Sequence, residues 1–360
     1  MSYSLKNKTL KVGVIGNGYI ANYHAEKINK IDDLEITACY DKIPEKTEEY
    51  SKKYGAKVCK TLNEFLNSGV DLALICTTNE VHSSLSIKCL EAGINVMCEK
   101  PVTLNSEELE KVIAAAQKSG KLYTSHQNRR WDKDFLVVKS VVESGMLGNI
   151  TSVYSRMFGQ RGVCFGWRAD SYFAGGMLYD WGPHMADQIL QLFKGQKVVN
   201  IFNRMQQILT PSVDDHFNLQ LGFEDNKYCV IEVGTFCLQH MPRWHVFGDR
   251  GTLTIDNLES PKGTMARIRR DISGFDTVFI KKITPAPPSR IMAPLLPEYI
   301  EQLELPVIGS DGLAYHRNLA AAVRGIEAPY VTSDDMRRVM KVLDLARLSA
   351  EKLEIIKETV

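Results

Sequence analysis

Hydrophobic and polar positions along the first third of the chain form short apolar runs separated by amphipathic stretches. The apolar runs predict strands, and the stretches with apolar residues at helical spacing predict helices. Strands are predicted at Leu10–Ile15, Leu34–Tyr40, Lys57–Cys59, Val70–Cys76, Ile94–Cys98 and Leu122–Thr124, and helices at Tyr19–Asn29, after Thr61, at Ser83–Ala92 and at Glu107–Ser119. Strands that alternate with helices in this way indicate a doubly wound parallel sheet.

After residue 128 the pattern changes, and most strands follow one another without intervening helices. Strands are predicted at Ile150–Phe158, Val198–Gln206, Phe217–Phe223, Tyr228–Phe236, Trp244–Phe247 and Leu253–Ile255. Helices are predicted at Trp131–Glu143, Met185–Phe193, Pro297–Leu305, Gly312–Arg324 and from Met336 onward with a cap at Ser333, and a proline-rich loop at Thr284–Pro297. This order of elements predicts an α+β domain with a mostly antiparallel sheet flanked by helices.

The change of pattern, together with a length of 360 residues, predicts two domains, 1–126 and 127–360. We expect the last helix to be able to pack back on the first domain. A composition of 44% hydrophobic and 24% charged residues is typical of a soluble globular protein with a sizeable core.

Charge and cysteine usage narrow the function classes. The formal net charge is +1, so no overall field points to nucleic acid or an anionic membrane as a partner. The eight cysteines form no Cys-x-x-Cys pair, which predicts neither a disulfide framework nor a metal site. The polar N-terminus has no apolar signal core, and no apolar run approaches membrane-spanning length. A cytoplasmic location is therefore expected.

A glycine motif follows the first predicted strand. Gly16 and Gly18 stand five and three residues before Ala21, at the start of a predicted helix. This is the strand–turn–helix setting of a dinucleotide-binding fingerprint, in which Gly16 permits the tight turn and Gly18 lets the backbone approach a pyrophosphate. Tyr19 and Ile20, inside the motif, are also candidate cofactor contacts.

An acidic residue ends the second predicted strand. Asp41 lies roughly 20 positions beyond the glycines, where a carboxylate is expected to accept hydrogen bonds from the ribose diol. The same charge repels a 2′-phosphate, which favours NAD over NADP, whereas the adjacent Lys42 weakens that preference and keeps NADP possible. The alternative is that Asp41 does not contact a cofactor and is an ordinary turn residue that ends the strand.

Polar residues follow the next two predicted strands. Thr77, Asn79 and the pair Glu99–Lys100 fall at the carboxyl ends of strands, where open α/β sheets bind ligands. Lys100 is either a solvated loop lysine or an amine that contacts cofactor and substrate. His82 is a candidate cofactor contact, although a lone histidine there is more often a cap or a packing residue.

A second polar motif lies in the strand-rich half. Asp180 and His184 flank Pro183, which marks the start of a helix. Their spacing predicts that they share one side of the helix beginning. The helix dipole opposes protonation of His184 and a nearby carboxylate favours it, a combination that can poise an imidazole for proton transfer near neutral pH. The alternative is a capping aspartate with a packing histidine.

These stretches together resemble the Gfo/Idh/MocA family, the relatives of glucose-fructose oxidoreductase and inositol dehydrogenase. The resemblance is carried by five motifs in family order: Gly16-x-Gly18-x-x-Ala21, Cys76-Thr77-Thr78-Asn79-x-x-His82, Glu99-Lys100-Pro101, Asn128-Arg129-Arg130 and Gly175-Gly176-x-x-x-Asp180-x-Gly182-x-His184. It implies a Rossmann domain that carries NAD or NADP, and a second domain whose large open sheet forms homodimers or homotetramers. It also implies catalytic positions at Lys100, Asp180 and His184.

The resemblance and the residues lead to a hypothesis for each candidate. His184 removes a proton from a secondary hydroxyl, Lys100 donates to the reacting oxygen, and Asp180 orients His184 or a substrate hydroxyl. Further cofactor contacts are expected at Glu99 and Asn128. Trp167 and Arg168 lie either beside the cofactor or, with Tyr172 and Phe173, in an aromatic wall against a sugar-sized substrate. The alternative is that they are ordinary core aromatics with a solvated arginine.

The sequence is compatible with three functions. The first is an NAD(P)-dependent dehydrogenase of a sugar, inositol or related polyol. The second is an enzyme that keeps NAD bound and uses transient sugar oxidation for elimination or epimerisation. The third is a non-catalytic NAD-binding regulator, which the joint presence of Lys100, Asp180 and His184 disfavours.

Overall fold

The computed structural model describes residues 9–161, 164–258, 261–269, 295 and 297–360. The predicted polar start at residues 1–8 and the proline-rich loop up to residue 294 lie outside these ranges. The first sheet is parallel, with strand order β3-β2-β1-β4-β5-β6. Its strands are β1 Leu10–Ile15, β2 Leu34–Tyr40, β3 Lys57–Val58, β4 Leu72–Ile75, β5 Asn95–Cys98 and β6 Tyr123–Ser125. The predicted doubly wound sheet is confirmed.

Five helices connect these strands: α1 Tyr19–Ile28, α2 Pro44–Tyr54, α3 Leu62–Leu66, α4 His82–Glu91 and α5 Ser106–Ser119. The apolar pattern did not identify α2, because Thr47 and Tyr50 are its only buried residues. Proline in its first turn and Gly55 at its end, with φ of 74°, are the local signals that bound it. Strands such as β4 are buried on both faces of the sheet, and their sequences are therefore continuously hydrophobic rather than alternating.

The second sheet is mixed and mostly antiparallel, in the order β14-β13-β12-β11-β7-β10-β9-β8. Its strands are β7 Ile150–Phe158, β8 Val198–Gln206, β9 His216–Phe223, β10 Tyr228–Gly234, β11 Trp244–Gly248, β12 Gly251–Ile255, β13 Gly263–Ile268 and β14 Ile300–Leu303. The parallel pairing of β10 with β7 is the exception to the antiparallel pattern. The predicted α+β architecture is confirmed.

The predicted helix at Pro297–Leu305 was wrong. A short 3-10 turn at Pro297–Tyr299 leads directly into β14, which pairs antiparallel with β13. Partly buried residues on β14 complete the edge of the second sheet. Tertiary pairing thus overrides the helical propensity of this glutamate- and leucine-rich segment.

The remaining helices are α6 Lys133–Glu143, α7 Met177–Asp180, α8 Gly182–Leu192, α9 Ala314–Val323 and α10 Ser333–Lys352. The cap of α10 is Thr332 rather than the predicted Ser333, since the Thr332 side chain and Asp335 form a reciprocal capping box. Helix α10 packs on strand β8 of the second sheet and on helix α8. It also contacts α5 of the first half, where the Asp344 carboxylate accepts the Ser106 N–H at 2.8 Å. No helix in the described ranges is long and apolar enough to cross a membrane.

Candidate active site

A cavity of about 750 Å³ lies at the carboxyl edge of the parallel sheet, where the segment from Trp167 to His184 covers it. Most of the residues predicted from the sequence line it together. They are Gly16, Gly18, Tyr19, Ile20, Asp41, Lys42, Thr77, Asn79, Glu99, Lys100, Asn128, Trp167, Arg168, Asp180 and His184. The cavity therefore joins the glycine turn of the first sheet to the polar motif of the second half.

The glycine turn has the shape that a dinucleotide requires. Gly16 has φ of +87°, and a Cβ built on it would lie 2.7 Å from the backbone carbonyl of Cys76. A Cβ built on Gly18 would have no protein atom within 4 Å, so the space in front of the helix is open there. The backbone at the N-terminus of α1 is therefore accessible to a phosphate. This turn fits a dinucleotide cofactor.

Substitution by alanine is expected to have different effects at Gly16 and at Gly18. Gly16→Ala is expected to lower the thermal midpoint of the cofactor-free protein, because the added methyl collides with backbone at a positive φ. Gly18→Ala is expected to leave that midpoint unchanged and to weaken dinucleotide binding at least tenfold. Thermal unfolding and calorimetric titration with NAD measure the two effects, and an unaffected affinity in Gly18→Ala would contradict the assignment of the turn.

Asp41 is tied to the glycine turn by its own carboxylate. One oxygen accepts the Asn17 N–H at 2.8 Å and the other accepts the Ile43 N–H at 2.9 Å. Each oxygen keeps a free lone pair, so the carboxylate can still accept from a diol. Lys42 points across the cavity mouth, with its ammonium 5.7 Å from the ring of Phe173. Acid and base thus lie side by side at this end of the cavity.

Lys100 and Asp180 meet across the cavity at its other end. The Lys100 ammonium donates to a carboxylate oxygen of Asp180 at 2.8 Å and to its backbone carbonyl at 2.7 Å. Arg168 pairs with the same carboxylate oxygen at 3.1 Å. Although burial opposes ionisation, the charges of Lys100 and Arg168 hold the pKa of Asp180 below its ordinary value. Asp180 is therefore a fixed anion that orients the Lys100 ammonium.

His184 is buried beside this pair, and Gln127 rather than Asp180 contacts it. Its Nδ1 lies 3.2 Å from the side-chain oxygen of Gln127. Trp181 separates α7 from α8, so Asp180 and His184 do not share one continuous helix. Within the described residues the Asp180 carboxylate is paired with Lys100 and Arg168, and no hydrogen bond joins it to His184. The expectation that the two residues share one side of a helix beginning was wrong, because they lie in different helices. Of the two roles predicted for Asp180, orientation of a substrate hydroxyl stays a prediction.

The charge state of His184 also differs from the expectation. Burial, followed by the positive charges of Lys100 and Arg129, lowers its pKa well below 6.5. The imidazole is therefore neutral at physiological pH rather than poised between two charge states. Neutrality leaves one ring nitrogen with a lone pair, which is what a proton acceptor needs.

A buried network lies behind Lys100 that the sequence did not reveal. One oxygen of Glu99 is 2.8 Å from Nε2 of His24 and 2.8 Å from Nδ1 of His126, and Nδ1 of His24 is 2.9 Å from Nε2 of His316. Burial opposes the charge on Glu99, but the imidazoles of His126 and His24 hold its pKa well below its usual range. Burial and His126 lower the pKa of His24 to about 4, so His24 donates as a neutral ring.

This network is also the candidate for a metal among the described residues, because ligand atoms of His24, His126 and His316 lie within 4.8 Å of one another. Separations of 2.8–2.9 Å match hydrogen bonds. His24 gives Nε2–H to Glu99 and accepts at Nδ1 from His316, so donors and acceptors alternate. We therefore interpret it as a hydrogen-bonded support for Glu99. Its histidines are 102 and 190 positions apart along the chain, which left no sequence signal.

Three residues predicted at the site, His82, Tyr172 and Phe173, fall outside the cavity lining. His82 is fully buried, with Nδ1 2.7 Å from the carbonyl of Pro101 and Nε2 3.2 Å from that of Thr77. A neutral ring has one N–H and donates to one of these carbonyls, so His82 packs between the Glu99-Lys100-Pro101 turn and the loop after β4. Tyr172 has a 74% exposed side chain packed edge-on against Phe173. Conversely, Tyr23, Arg129 and Trp181 line the cavity without having been predicted, and the Arg129 guanidinium lies 4.2 Å from the Trp181 ring.

Comparison with known proteins agrees with this geometry. Residues 10–127 match the GFO/IDH/MocA oxidoreductase family with its NAD-binding Rossmann fold, and residues 135–254 match the GFO/IDH/MocA C-terminal domain. The chain belongs to this family. It is therefore an NAD(P)-dependent dehydrogenase with the two-part architecture typical of GFO/IDH/MocA proteins.

Individual GFO/IDH/MocA relatives align with more than two thirds of the chain. The scyllo-inositol 2-dehydrogenase (NADP(+)) IolW of Bacillus subtilis is 28% identical over 96% of this chain and 95% of its own length. The myo-inositol 2-dehydrogenase of Thermotoga maritima is 27% identical over 69% of this chain and 76% of its own. The structure of an NAD-binding protein from Listeria innocua superposes with a TM-score of 0.86 at 30% identity, covering 98% of this chain and 97% of that one.

Proposed function

We propose that this protein transfers a hydride between a nicotinamide cofactor and a secondary hydroxyl of a sugar, inositol or related polyol. The observation that carries the proposal is the meeting of Lys100, Asp180 and a neutral His184 at one end of a cavity that begins at a dinucleotide turn. The inositol dehydrogenases among the relatives support a polyol as the substrate class.

Each residue has a distinct task in this proposal. The bound nicotinamide supplies the hydride acceptor. His184 accepts the hydroxyl proton, which its neutral ring permits. The Lys100 ammonium, held by Asp180, donates to the reacting oxygen and stabilises the negative charge that develops there. Substrate contacts are therefore proposed at Lys100, Asp180 and His184, with Tyr172 limited to the rim of the cavity.

For the cofactor we propose NAD as the preferred form, with NADP as the alternative. The Asp41 carboxylate next to the glycine turn supports NAD because it accepts from a diol and repels a phosphate. Lys42 and Lys46 line the same end of the cavity, and the relative IolW is named for NADP(+). Glu99, Asn128, Trp167 and Arg168 are proposed as contacts for the remainder of the cofactor.

We also propose that the chain forms a homodimer or homotetramer in the cytoplasm. Helices α8 and α10 cover one face of the second sheet, whereas the other face carries Tyr154 and Tyr228 with hydroxyls 2.9 Å apart. The eight cysteines are all free thiols, which suits a reducing compartment. Light scattering is expected to give a dimeric or tetrameric mass, and a monomer would contradict the proposal.

A substrate panel tests the proposed function. Inositols, sugars and sugar acids are incubated with NAD and, in parallel, NADP, and the absorbance of reduced nicotinamide is followed. We expect at least one polyol to yield reduced cofactor, faster with NAD. Reduced nicotinamide that stays bound and is recycled would identify the elimination or epimerisation alternative. Binding of cofactor with no reaction across the panel would point to the regulatory alternative.

A further inference from the structure

Gln127 is the residue that contacts the imidazole of His184, and nothing in the motifs singles it out. It follows β6, the neighbour of β5, after which Lys100 comes two residues on, and it is 4% exposed. Its backbone opens the 3-10 turn at Asn128–Trp131, where its carbonyl accepts the Arg130 N–H at 3.2 Å. The turn is also tied to α8, because Gln188 donates to the carbonyl of Arg129 at 2.8 Å. Gln127 is thus held on both sides.

The orientation of the Gln127 amide is set by its two neighbours. Its Nε2 donates toward the carbonyl of Pro183 at 3.5 Å, which turns Oε1 toward Nδ1 of His184 at 3.2 Å. A carbonyl oxygen can only accept a hydrogen bond, so Nδ1 carries the proton. Nε2 of the same ring then bears the lone pair. In the chain as described, this Nε2 makes no hydrogen bond, and His184 lines the cavity.

We propose that Gln127 is a positioning residue of the hydride-transfer site, whose side-chain carbonyl keeps the His184 proton on Nδ1 and presents the Nε2 lone pair to the substrate hydroxyl. The proposal rests on the function proposed for His184. The opposite tautomer would place an N–H at the cavity and remove the proton acceptor. Gln127 therefore does for His184 what a carboxylate does in hydrolase triads, but without adding a charge.

The absence of charge on Gln127 has a consequence of its own. Burial lowers the pKa of His184 most, Lys100, Arg129 and His126 lower it further, and the Glu99 carboxylate raises it. A neutral amide adds no charge to this balance. A carboxylate at the same place would favour the protonated ring. Glutamine fixes the tautomer and leaves the ring neutral, so His184 is able to accept a proton even in mildly acidic solution.

Two variants separate orientation from charge. Gln127→Glu keeps the acceptor oxygen and adds a negative charge, and Gln127→Met keeps the length and removes the acceptor. Gln191→Met is the matched control, since Gln191 lies on α8 and donates to Asp335 away from the cavity. Thermal midpoints identify any variant that fails to fold, and Gln127→Glu, nearly identical in shape, decides the test if Gln127→Met does not fold.

The first readout needs no substrate. Long-range proton–nitrogen correlation spectra of protein labelled with ¹⁵N-histidine report which ring nitrogen carries the proton, and His184→Gln assigns the signal. We expect His184 to be the Nδ1–H form in wild type and in Gln191→Met, and to shift toward the Nε2–H form in Gln127→Met. An Nε2–H form in wild type would overturn the proposal.

The second readout is the pH profile of kcat with a substrate from the panel. In Gln127→Glu, the acidic limb is expected to move up by about 1–3 pH units, because an added carboxylate stabilises the protonated ring. Gln127→Met is expected to lose at least tenfold in kcat, with KM within about threefold of wild type. An inactive wild type, or an active one indifferent to His184→Ala, refutes the proposed function. An active, His184-dependent wild type whose profile Gln127→Glu leaves unchanged refutes the role of Gln127 alone.

Discussion

Replacing Lys100 by Met, or His184 by Ala, is expected to lower turnover by at least about 10²–10⁴-fold, the range that a positioned acid or base contributes. The physical reason is specific to each change. Lys100→Met removes the ammonium that Asp180 aims at the reacting oxygen, and His184→Ala removes the neutral ring that accepts the proton. Steady-state kinetics on a panel substrate measures both losses.

The dinucleotide turn is separate from these side chains, so NAD affinity in both variants is expected to stay within a few-fold of wild type. Lys118→Met makes the same chemical change on an exposed residue of α5 and serves as the control. Turnover that survives both site substitutions would remove Lys100 and His184 from the reaction. A collapse of NAD affinity in His184→Ala would instead assign that residue to cofactor binding.

Lowering the pH from 6.5 toward 4 is expected to destabilise the folded protein strongly. Burial is the main reason why the pKa of His24 is lowered from 6.5 to about 4 and that of His316 to about 2. It also lowers the pKa of His82 and of His184. Below pH 6.5 the unfolded chain binds protons that the folded chain refuses, so stability is lost as pH falls. For His24 alone the loss between pH 6.5 and 4 is about 3 kcal/mol.

Urea unfolding at pH 7.5, 6 and 5 measures this loss. His24→Gln retains an N–H donor for Glu99 but cannot be protonated, so its stability is expected to fall less steeply below pH 6.5 than that of wild type. His240→Gln, which changes an exposed side chain, is expected to follow the wild-type curve. A wild-type free energy of unfolding that stays constant from pH 7.5 to 5 would contradict the neutral, buried state of these histidines.

The regular parts of the fold were predictable because local pattern and tertiary structure agree there. Strands β1, β2, β7 and β8 begin and end where the apolar runs do, since each is bounded by turn residues. Prediction failed where a neighbouring strand decided the outcome. At Ile300–Leu303 the pairing with β13 makes a strand of a segment whose composition suits a helix.

The candidate site was predictable in its motifs and not in its contacts. Short-range spacing located the glycine turn, Lys100, Asp180 and His184. Which of these side chains bond to one another depends on how the covering segment is placed over the sheet. Trp181 breaks the helix between Asp180 and His184, so these residues do not share one helix beginning as predicted. Asp180 contacts Lys100 instead, and His184 contacts Gln127.

The remaining support of the site is long-range and left no pattern to detect. His24, His126 and His316 come from α1, from the end of β6 and from α9. Only in the folded chain do His24 and His126 contact Glu99, with His316 bonded in turn to His24. A lone histidine on each element looks like a packing residue in the sequence. Spacing cannot report such a network, because its members share no element.

Hydride transfer from a carbinol carbon is tested most directly by following a deuterium from that carbon to the nicotinamide. A polyol found reactive in the panel is prepared with deuterium on the carbon that bears the reacting hydroxyl and is incubated with NAD and the full chain. The mass of the reduced nicotinamide is then measured. The reduced cofactor is expected to carry the deuterium in wild type, and Lys100→Met is expected to form far less of it. Reduced nicotinamide without deuterium from the labelled polyol would contradict hydride transfer from that carbon.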